Sequence, residues 1–314
     1  MRWQPGDRAP DFVRRDSLGQ PQAFYEFPKG QPCLLIAAAN PVALAPHVAA
    51  LPPHLGKILV LAIASVETCR QWQETWGVPV WSDDGTVVRL LAESDPHRVL
   101  VLDANLRIVA IDPDWEQVPA LLAAAVPTAV GAPVLLVPRV LPLELCDRLI
   151  AAHRQGKTFA SGTVRLVAGR RQLVEESHYK RRVDLLLSEH PDLATETLGY
   201  LTQRLRPELK KAFHFEAAGL EPLKIARYDG TNQGFFAPHR DNNTRETARR
   251  CFALTLNLND PATYEGGGLR FPEYSPTVYR PAAGEALVFS GSHLHEVTPV
   301  CQGQRYVLIT FFWR

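Results

Sequence analysis

The chain has 314 residues, a length that is typical of two domains. Hydrophobic residues make up 46% and charged residues 21%, which is an ordinary balance for a globular protein. A formal net charge of +1 gives no strong field to attract nucleic acid or a membrane surface, so neither is an expected partner.

The cysteine pattern and the apolar runs bear on the cellular compartment. The five cysteines form no Cys-x-x-Cys pair and are odd in number, which favours reduced thiols and a cytoplasmic location. The opening stretch MRWQPGDRAPDF is polar and lacks the pattern of a signal peptide. No apolar run reaches the roughly 18 residues that a membrane-spanning helix needs.

The first half of the chain alternates strand and helix patterns. The runs CLLIAAA and ILVLAIA are continuously apolar, as in parallel strands that are buried on both faces. This alternation predicts an α/β layer fold for residues 1–127. In chain order the predicted elements are a strand at 33–39, a proline-interrupted helix in 41–51, a strand at 58–64, a helix in 66–77 ended by Gly77, a strand and turn in 78–85, a hairpin at 98–112 and a helix in 115–126.

Several segments of this half resemble the peroxiredoxin branch of the thioredoxin fold. They are GDRAPDF (6–12), the first apolar strand, SDDGTVVRLL (82–91) and PHRVLVLDANLRI (96–108). The resemblance implies a thioredoxin-like N-terminal domain, but Val48 stands where that branch places its peroxide-attacking cysteine. Without a thiolate there is no nucleophile for peroxide, so a docking or scaffold module is expected instead of a thiol peroxidase.

The second half begins after a stretch rich in proline and glycine and consists mainly of short strands. Residues 128–133 are predicted to be a linker and residues 134–314 a second domain. Repeated short strands between turn residues predict a jelly roll of the cupin kind, a double-stranded β-helix. The predicted strands are 132–138, 222–228, 250–258, 266–274, 277–281, 285–291, 295–300 and 305–313, with flanking helices at 142–153 and 191–213.

A possible metal site lies in the stretch PHRDNNTRE, residues 238–246. Residues two apart on a strand share a face, so His239 and Asp241 can aim an imidazole and a carboxylate at one point. The tripeptide alone is weak support, because short motifs also arise by chance. A third ligand should come from another strand end, and both His293 and His295 lie at the start of a predicted strand. Two histidines and one carboxylate leave open positions on iron.

Arg305 is a candidate anion-binding residue on the last predicted strand. It alternates with Val307, Ile309 and Phe311, which mark the side of the strand that faces the core. A buried guanidinium needs a partner, because an unpaired buried charge is very costly. A dicarboxylate is a natural partner, since the guanidinium fork matches carboxylate geometry.

Together these residues resemble the iron(II)/2-oxoglutarate-dependent dioxygenases, and within them the prolyl 4-hydroxylase-like branch. The resemblance covers roughly residues 133–314. It implies that His239, Asp241 and His295 bind Fe(II), that Arg305 binds the distal carboxylate of 2-oxoglutarate, and that Tyr228 reaches the same cosubstrate. It also implies O2 as cosubstrate, ascorbate as a supporting reductant, and succinate and CO2 as coproducts. The segments that carry it are 224–241, 254–260, 264–272 and 284–313.

Several assignments stay open on sequence grounds. His293 is an alternative third ligand, and Thr255 and Asn257 either line a pocket or pack in the core. The Gly266-Gly267-Gly268 run predicts a close backbone approach and not a phosphate loop, because no helix follows it. In related iron halogenases a small residue replaces the carboxylate, so Asp241 favours hydroxylation.

The substrate remains open among a peptide, an amino acid and a small natural product. Residues 158–184 are basic and poor in strand signals. In the dioxygenase family that this half resembles, the matching region is often a mobile lid. Arg181 and Arg182 are either surface residues or contacts for an anionic substrate group. A non-catalytic metal-binding or redox adaptor, with a protein partner on the N-terminal domain, is the alternative from another class. Fold alone does not decide between them.

Overall fold

The computed structural model describes residues 3–52, 56–93, 95–126, 131–161 and 177–314, together with the backbone of 163–167 and 170–174. The chain divides into two compact units. Unit 1 comprises Met1–Val130 and Pro272–Pro276, and unit 2 comprises Gly131–Phe271 and Thr277–Arg314. The predicted linker at 128–133 lies partly outside the described residues. No helix in the described ranges is long and apolar enough to cross a membrane.

Unit 1 is built on a mixed sheet in the strand order β2-β1-β5-β4-β3-β6-β7. Strands β3, β4 and β5 run parallel, whereas β6 and β7 form an antiparallel hairpin beside β3. The strands are β1 (Val13–Arg15), β2 (Pro21–Ala23), β3 (Cys33–Ala38), β4 (Lys57–Ala62), β5 (Val80–Ser82), β6 (His97–Leu102) and β7 (Ile108–Ile111). The helices are α1 (Ala45–Ala49), α2 (Val66–Trp76), α3 (Thr86–Ala92) and α4 (Val118–Ala124).

The continuously apolar strands of unit 1 are buried on both faces, as predicted. On β3, Leu34 and Ile36 pack in one hydrophobic cluster and Cys33 and Leu35 in another, on alternate sides of the strand. The α2 boundaries also agree with prediction: the Ser65 hydroxyl accepts a bond from the Thr68 amide, and Gly77 ends the helix at φ 69°. Helix α3 was missed, because its seven residues carry no amphipathic pattern long enough to identify it.

Unit 2 contains two main antiparallel sheets and a separate two-stranded sheet, with helices alongside. Its strands are β8 (Leu135–Val137), β9 (Phe159–Ala160), β10 (Thr163–Val167), β11 (Arg170–Val174), β12 (Lys180–Arg181), β13 (Val183–Leu186), β14 (Gly219–Leu220), β15 (Lys224–Asp229), β16 (Phe235–His239), β17 (Arg250–Asn257), β18 (Tyr264–Gly266), β19 (Leu269–Arg270), β20 (Val278–Tyr279), β21 (Ala286–Ser290), β22 (His295–Val297) and β23 (Val300–Trp313). Its helices are α5 (Leu143–Gln155), α6 (Pro191–Tyr200) and α7 (Arg206–Phe213), with a π-helical turn at Leu201–Leu205 between the last two.

The larger sheet of unit 2 has the order β8-β21-β17-β23-β15-β13-β9, and β14 and β18 also pair with β23. The smaller sheet has the order β12-β16-β22-β19-β20. This antiparallel, sheet-rich arrangement is of the jelly-roll type that the strand pattern predicted. Helices α5 and α7 contribute leucines to the main hydrophobic core of unit 2, and partly buried leucines of α6 pack against this core.

Three details of unit 2 differ from prediction. Strand β23 begins at Val300, so Arg305 lies inside the last strand and not at its start. Residues 158–184 were expected to be poor in strands, but they contain β9 to β12 and the first residues of β13; five residues of the segment lie outside the described ranges. Strand β16 was not predicted, because Pro238 interrupts the alternating pattern.

Candidate metal centre and cosubstrate pocket

A cavity of about 590 Å³ lies between the two sheets of unit 2. Strands β16 and β22 of the smaller sheet line one wall, and strands β15, β17 and β23 of the larger sheet line the opposite wall. The cavity therefore brings together side chains that are distant in the sequence. The predicted site residues that line it are His239, Asp241, His295, Arg305 and Tyr228.

His239 and His295 are direct cross-strand neighbours on β16 and β22. Phe236 and His239 are three positions apart and would face opposite sides of a regular strand. The pairing register shifts between them, and as a result both face the cavity. The rings of Phe236 and His239 stack with centroids 3.5 Å apart. Of the two adjacent phenylalanines in this stretch, Phe236 thus belongs to the site.

Both imidazoles are oriented by backbone carbonyls. The Nδ1 atom of His239 lies 2.8 Å from the Ala237 carbonyl oxygen, and that of His295 lies 3.0 Å from the His293 carbonyl oxygen. Since a carbonyl only accepts, each Nδ1 carries the proton and donates it. Each Nε2 is left with its lone pair directed into the cavity, which is the tautomer that a metal ligand requires.

Asp241 completes the group two residues beyond the end of β16. Its carboxylate oxygens lie 3.5 Å from Nε2 of His239 and 3.4 Å from Nε2 of His295. Its amide donates to the Gly291 carbonyl at 2.9 Å, and its own carbonyl accepts from Arg250 at 3.2 Å, so the main chain fixes the carboxylate. Within the described residues, the three form a group whose potential ligand atoms all lie within 4.8 Å of one another. The alternative ligand His293 is not in it; its carbonyl orients His295.

Burial and mutual charge keep this group ready for a cation. Burial lowers the pKa of His295 from 6.5 to about 4, and the neighbouring Asp241 opposes that shift only partly. Burial raises the pKa of Asp241, but His295 and His239 outweigh it and bring the value to about 2. At neutral pH His295 is therefore neutral and Asp241 ionised. Two imidazoles and one carboxylate, with room beside them, fit the facial ligand set of Fe(II).

Acid should destabilise the iron-free protein through His295. The unfolded chain takes up a proton near pH 6.5, whereas the folded protein does so only near pH 4, so stability falls as pH drops through this window. The shift corresponds to a loss on the order of 3 kcal/mol. Thermal unfolding with a chelator, between about pH 7 and pH 4, should show this slope, and His295→Gln should flatten it. Substitution of the exposed His178 by Gln should leave the slope unchanged; an equally steep slope in His295→Gln would assign it to another group.

Arg305 is a deeply buried charged side chain of the cavity wall, at 1% exposure. Its Nε donates to the side-chain oxygen of Asn257 at 3.1 Å, and the Asn257 amide donates in turn to Tyr264 and to the Pro281 carbonyl. Its two terminal nitrogens, Nη1 and Nη2, have no hydrogen-bond partner among the described residues. A guanidinium fork without partners inside a cavity fits the carboxylate of a bound ligand.

Tyr228 lies directly opposite Arg305 on β15, and the Arg305 guanidinium stands 5.8 Å from the centre of its ring. The Tyr228 hydroxyl accepts from Arg182 at 3.3 Å. Arg182 also donates to both oxygens of Asp184, at 2.8 and 2.9 Å. Arg182 therefore supports Tyr228 from within the protein and is neither a surface residue nor free to bind a substrate anion.

Asn257 should control cosubstrate affinity without contacting the metal. In Asn257→Ala the Arg305 Nε loses its acceptor, and hydrogen bonds to charged groups contribute about 1.5–3 kcal/mol. We expect roughly tenfold weaker 2-oxoglutarate binding and unchanged Fe(II) affinity, measured by anaerobic titration. Asn259→Ala is the matched control, since Asn259 bonds Gln304 and the Tyr306 amide on the same strand. Equal losses in both variants would indicate a general effect on β23.

Other residues of the site were not singled out from the sequence. Lys180 lines the cavity, and it directly precedes the two arginines considered in the sequence. Arg181 lies over the ring of Phe235 and is not among the lining residues. Thr255 does line the cavity, which resolves one of the open assignments. In the sequence Lys180 lies two residues before Arg182, so the two could share one face of a strand. An alternation of only two residues does not distinguish a cavity-lining strand from a surface strand.

Comparisons with known proteins agree with this geometry. Residues 223–313 match the family model described as the 2OG-Fe(II) oxygenase superfamily. A PKHD-type hydroxylase of Pseudomonas putida is 36% identical over 146 residues, which is 43% of this chain and 61% of that protein. The human multifunctional procollagen lysine hydroxylase and glycosyltransferase LH3 is 28% identical over 174 residues, which is 54% of this chain and 22% of that protein.

Among solved structures, a Pseudomonas putida prolyl-4-hydroxylase aligns with a TM-score of 0.45 at 22% identity, covering 58% of this chain and 92% of that chain. The sequence matches cover only part of the relatives: this chain spans less than two thirds of the length of the PKHD-type hydroxylase and a much smaller part of the lysine hydroxylase. The matched region contains the His-Asp-His group and Arg305. Residues 223–313 therefore form a 2OG-Fe(II) oxygenase domain, of a superfamily that uses Fe(II), 2-oxoglutarate and O2 and includes hydroxylases.

Proposed function

We propose that this protein is an Fe(II)- and 2-oxoglutarate-dependent dioxygenase that hydroxylates an unactivated C–H bond, with succinate and CO2 as coproducts. The observation that carries the proposal is the His239–Asp241–His295 group in one cavity with the partnerless fork of Arg305. When bound, iron and 2-oxoglutarate supply the oxidising chemistry with O2.

The residues of the chain bind and orient the reactants. His239 and His295 offer Nε2, and Asp241 offers a carboxylate that the main chain holds in place. Arg305 holds the distal carboxylate of 2-oxoglutarate, and Tyr228 contacts the same molecule. Both histidines are at least 94% buried, so the cavity limits access of water to the reaction. The presence of Asp241 favours hydroxylation over halogenation.

The substrate proposed on these grounds is a peptide, an amino acid or a small natural product. The similar proteins are named as PKHD-type, procollagen lysine and prolyl hydroxylases, which supports a hydroxylase more than any one substrate. The cavity volume falls within the range of about 300–1,000 Å³ that is usual for small-molecule sites.

For unit 1 we propose a thioredoxin-like domain of the peroxiredoxin branch that acts as a docking or scaffold module. Three parallel strands beside an antiparallel hairpin support this assignment. Val48, on α1, occupies the position of the peroxide-attacking cysteine. Burial raises the pKa of the Cys33 thiol far above its ordinary value and that of Cys69 to about 11, so neither provides a thiolate for peroxide at neutral pH.

The test is an anaerobic titration of the metal-free protein with Fe(II) and then 2-oxoglutarate, monitoring the visible charge-transfer band of the chelate. We expect a saturable band, and succinate release once a substrate and O2 are supplied. Iron binding without a band would favour the non-catalytic metal-binding adaptor. Absence of iron binding would exclude the oxygenase altogether.

A further inference from the structure

The main chain of Asp241 is linked to strand β17 by two routes. Its amide donates to the Gly291 carbonyl at 2.9 Å, and the Gly291 amide donates to the Cys251 carbonyl at 3.0 Å. Its carbonyl accepts from Nη1 of Arg250 at 3.2 Å. Of these contacts, only the one made by Arg250 comes from a side chain, and so it is the one that a substitution can remove.

The direction of the Arg250 guanidinium is set by Glu221. Nε and Nη2 of Arg250 donate to the two carboxylate oxygens of Glu221, both at 2.7 Å. A two-bond pair between a guanidinium and a carboxylate adds geometric specificity to its strength. It leaves Nη1 for the Asp241 carbonyl. The guanidinium also lies over the ring of Phe311, 3.8 Å from its centre, and this contact further limits its movement.

Glu221 is itself anchored independently of Arg250. It directly follows β14, and its amide donates to the Phe311 carbonyl at 2.9 Å. Its carbonyl accepts from the Thr310 hydroxyl at 2.6 Å. The main chain of Glu221 is therefore fixed to β23. Only 17% of the Glu221 side chain and 18% of the Arg250 side chain are exposed, so solvent screens the pair weakly.

Glu221 is not in the group of potential metal ligands and does not line the cavity. We propose that Glu221 and Arg250 are positioning residues of the candidate metal centre: Glu221 orients Arg250, and Arg250 holds the main chain of Asp241 so that its carboxylate faces the two histidines. This inference rests on the proposed function and adds to it a residue outside the cavity. Iron affinity should then depend on Glu221, and it should do so through Arg250.

The experiment measures iron affinity and stability separately in the full chain. Anaerobic equilibrium dialysis with metal analysis gives the Fe(II) dissociation constant, and chemical unfolding of the metal-free protein gives the free energy of unfolding. The variants are Glu221→Gln, Arg250→Met and the double variant that combines them. Glu196→Gln is the matched control, because Glu196 pairs with Arg148 at 2.8 Å and neither residue lines the cavity.

We expect Arg250→Met to weaken Fe(II) binding roughly 10–100-fold, as is usual for residues behind the ligands. Glu221→Gln should weaken it roughly tenfold, because the amide group turns a donor toward one nitrogen of the guanidinium. The double variant should bind Fe(II) no more weakly than Arg250→Met, since Glu221 acts through Arg250. It should nevertheless be more stable than Arg250→Met, in which a mostly buried carboxylate is left unpaired. Glu196→Gln should bind Fe(II) as the wild type does.

Iron affinity and stability thus move apart in the double variant, which a purely structural role does not predict. The proposal is overturned by full iron affinity in Glu221→Gln or Arg250→Met, by additive losses in the double variant, or by recovery of iron affinity together with stability in that variant. If Arg250→Met does not fold, full iron affinity in Glu221→Gln or in the double variant overturns it equally. A wild type that binds no Fe(II) would instead contradict the proposed function.

Discussion

Replacing Arg305 by methionine is expected to weaken 2-oxoglutarate binding strongly and also to stabilise the ligand-free protein. The guanidinium is 99% buried, and its terminal nitrogens have no partner in the described part of the chain. Loss of one member of a buried charged pair costs about 2–5 kcal/mol of binding free energy. In the ligand-free protein, by contrast, methionine removes an uncompensated buried charge at similar volume.

The two effects are measured separately. Anaerobic titration should give a 2-oxoglutarate dissociation constant at least roughly 30-fold weaker in Arg305→Met. Chemical unfolding without ligand should give a free energy of unfolding about 1 kcal/mol higher, since the loss of the bond to Asn257 offsets part of the gain. Arg305→Lys is the matched control: it keeps a buried charge, so it should weaken cosubstrate binding without stabilising. A destabilised Arg305→Met protein would mean that the guanidinium is already compensated without ligand.

Replacing His295 by alanine is expected to remove Fe(II) binding, whereas replacing His293 by alanine is not. His295 offers Nε2 to the site, while His293 orients His295 through its backbone carbonyl, which survives the substitution. Loss of a direct ligand should weaken binding by more than the roughly 10–100-fold that is usual for residues behind the ligands. Equilibrium dialysis with metal analysis measures this directly, and circular dichroism checks the fold.

The pair of variants also decides between the two histidines that the sequence left open. If His293→Ala lost iron and His295→Ala retained it, the group described above would not be the metal centre. If both variants retained full affinity, the site would lie elsewhere in the chain. Equal loss in both, with an altered circular dichroism spectrum, would show that the turn before β22 fails to form.

Much of this architecture follows from residue patterns. Apolar runs predicted β3 and β4, and alternating β-branched and aromatic residues predicted β15, β17, β21 and β23, because burial on one or two faces leaves a direct trace in the sequence. The helices α5 to α7 were predicted for the same reason, although the π-helical turn at Leu201–Leu205 was not. Whether unit 1 is thioredoxin-like stays a prediction.

The local details that shape the site were harder to predict from the sequence. The register shift before His239 lets Phe236 and His239 face the same cavity, contrary to simple alternation, and Pro238 concealed the strand itself. Lys180 lies at the cavity because β12 pairs with β16, and Arg182 follows directly after that strand. Such long-range pairing cannot be predicted from a local pattern, so the sequence predicted candidate ligands but not that Lys180 and Arg182 line the same cavity.

The backbone and the side chain of Asp241 have separate roles, because different contacts involve each of them. The loop is fixed through the Asp241 amide and carbonyl, which bond to Gly291 and Arg250 and do not involve the carboxylate. A shorter side chain would therefore leave the two histidines and the loop in place and open one coordination position to an external anion. We therefore expect single substitutions of Asp241 to change the chemistry of the candidate metal centre during evolution or directed selection while the fold around it is kept.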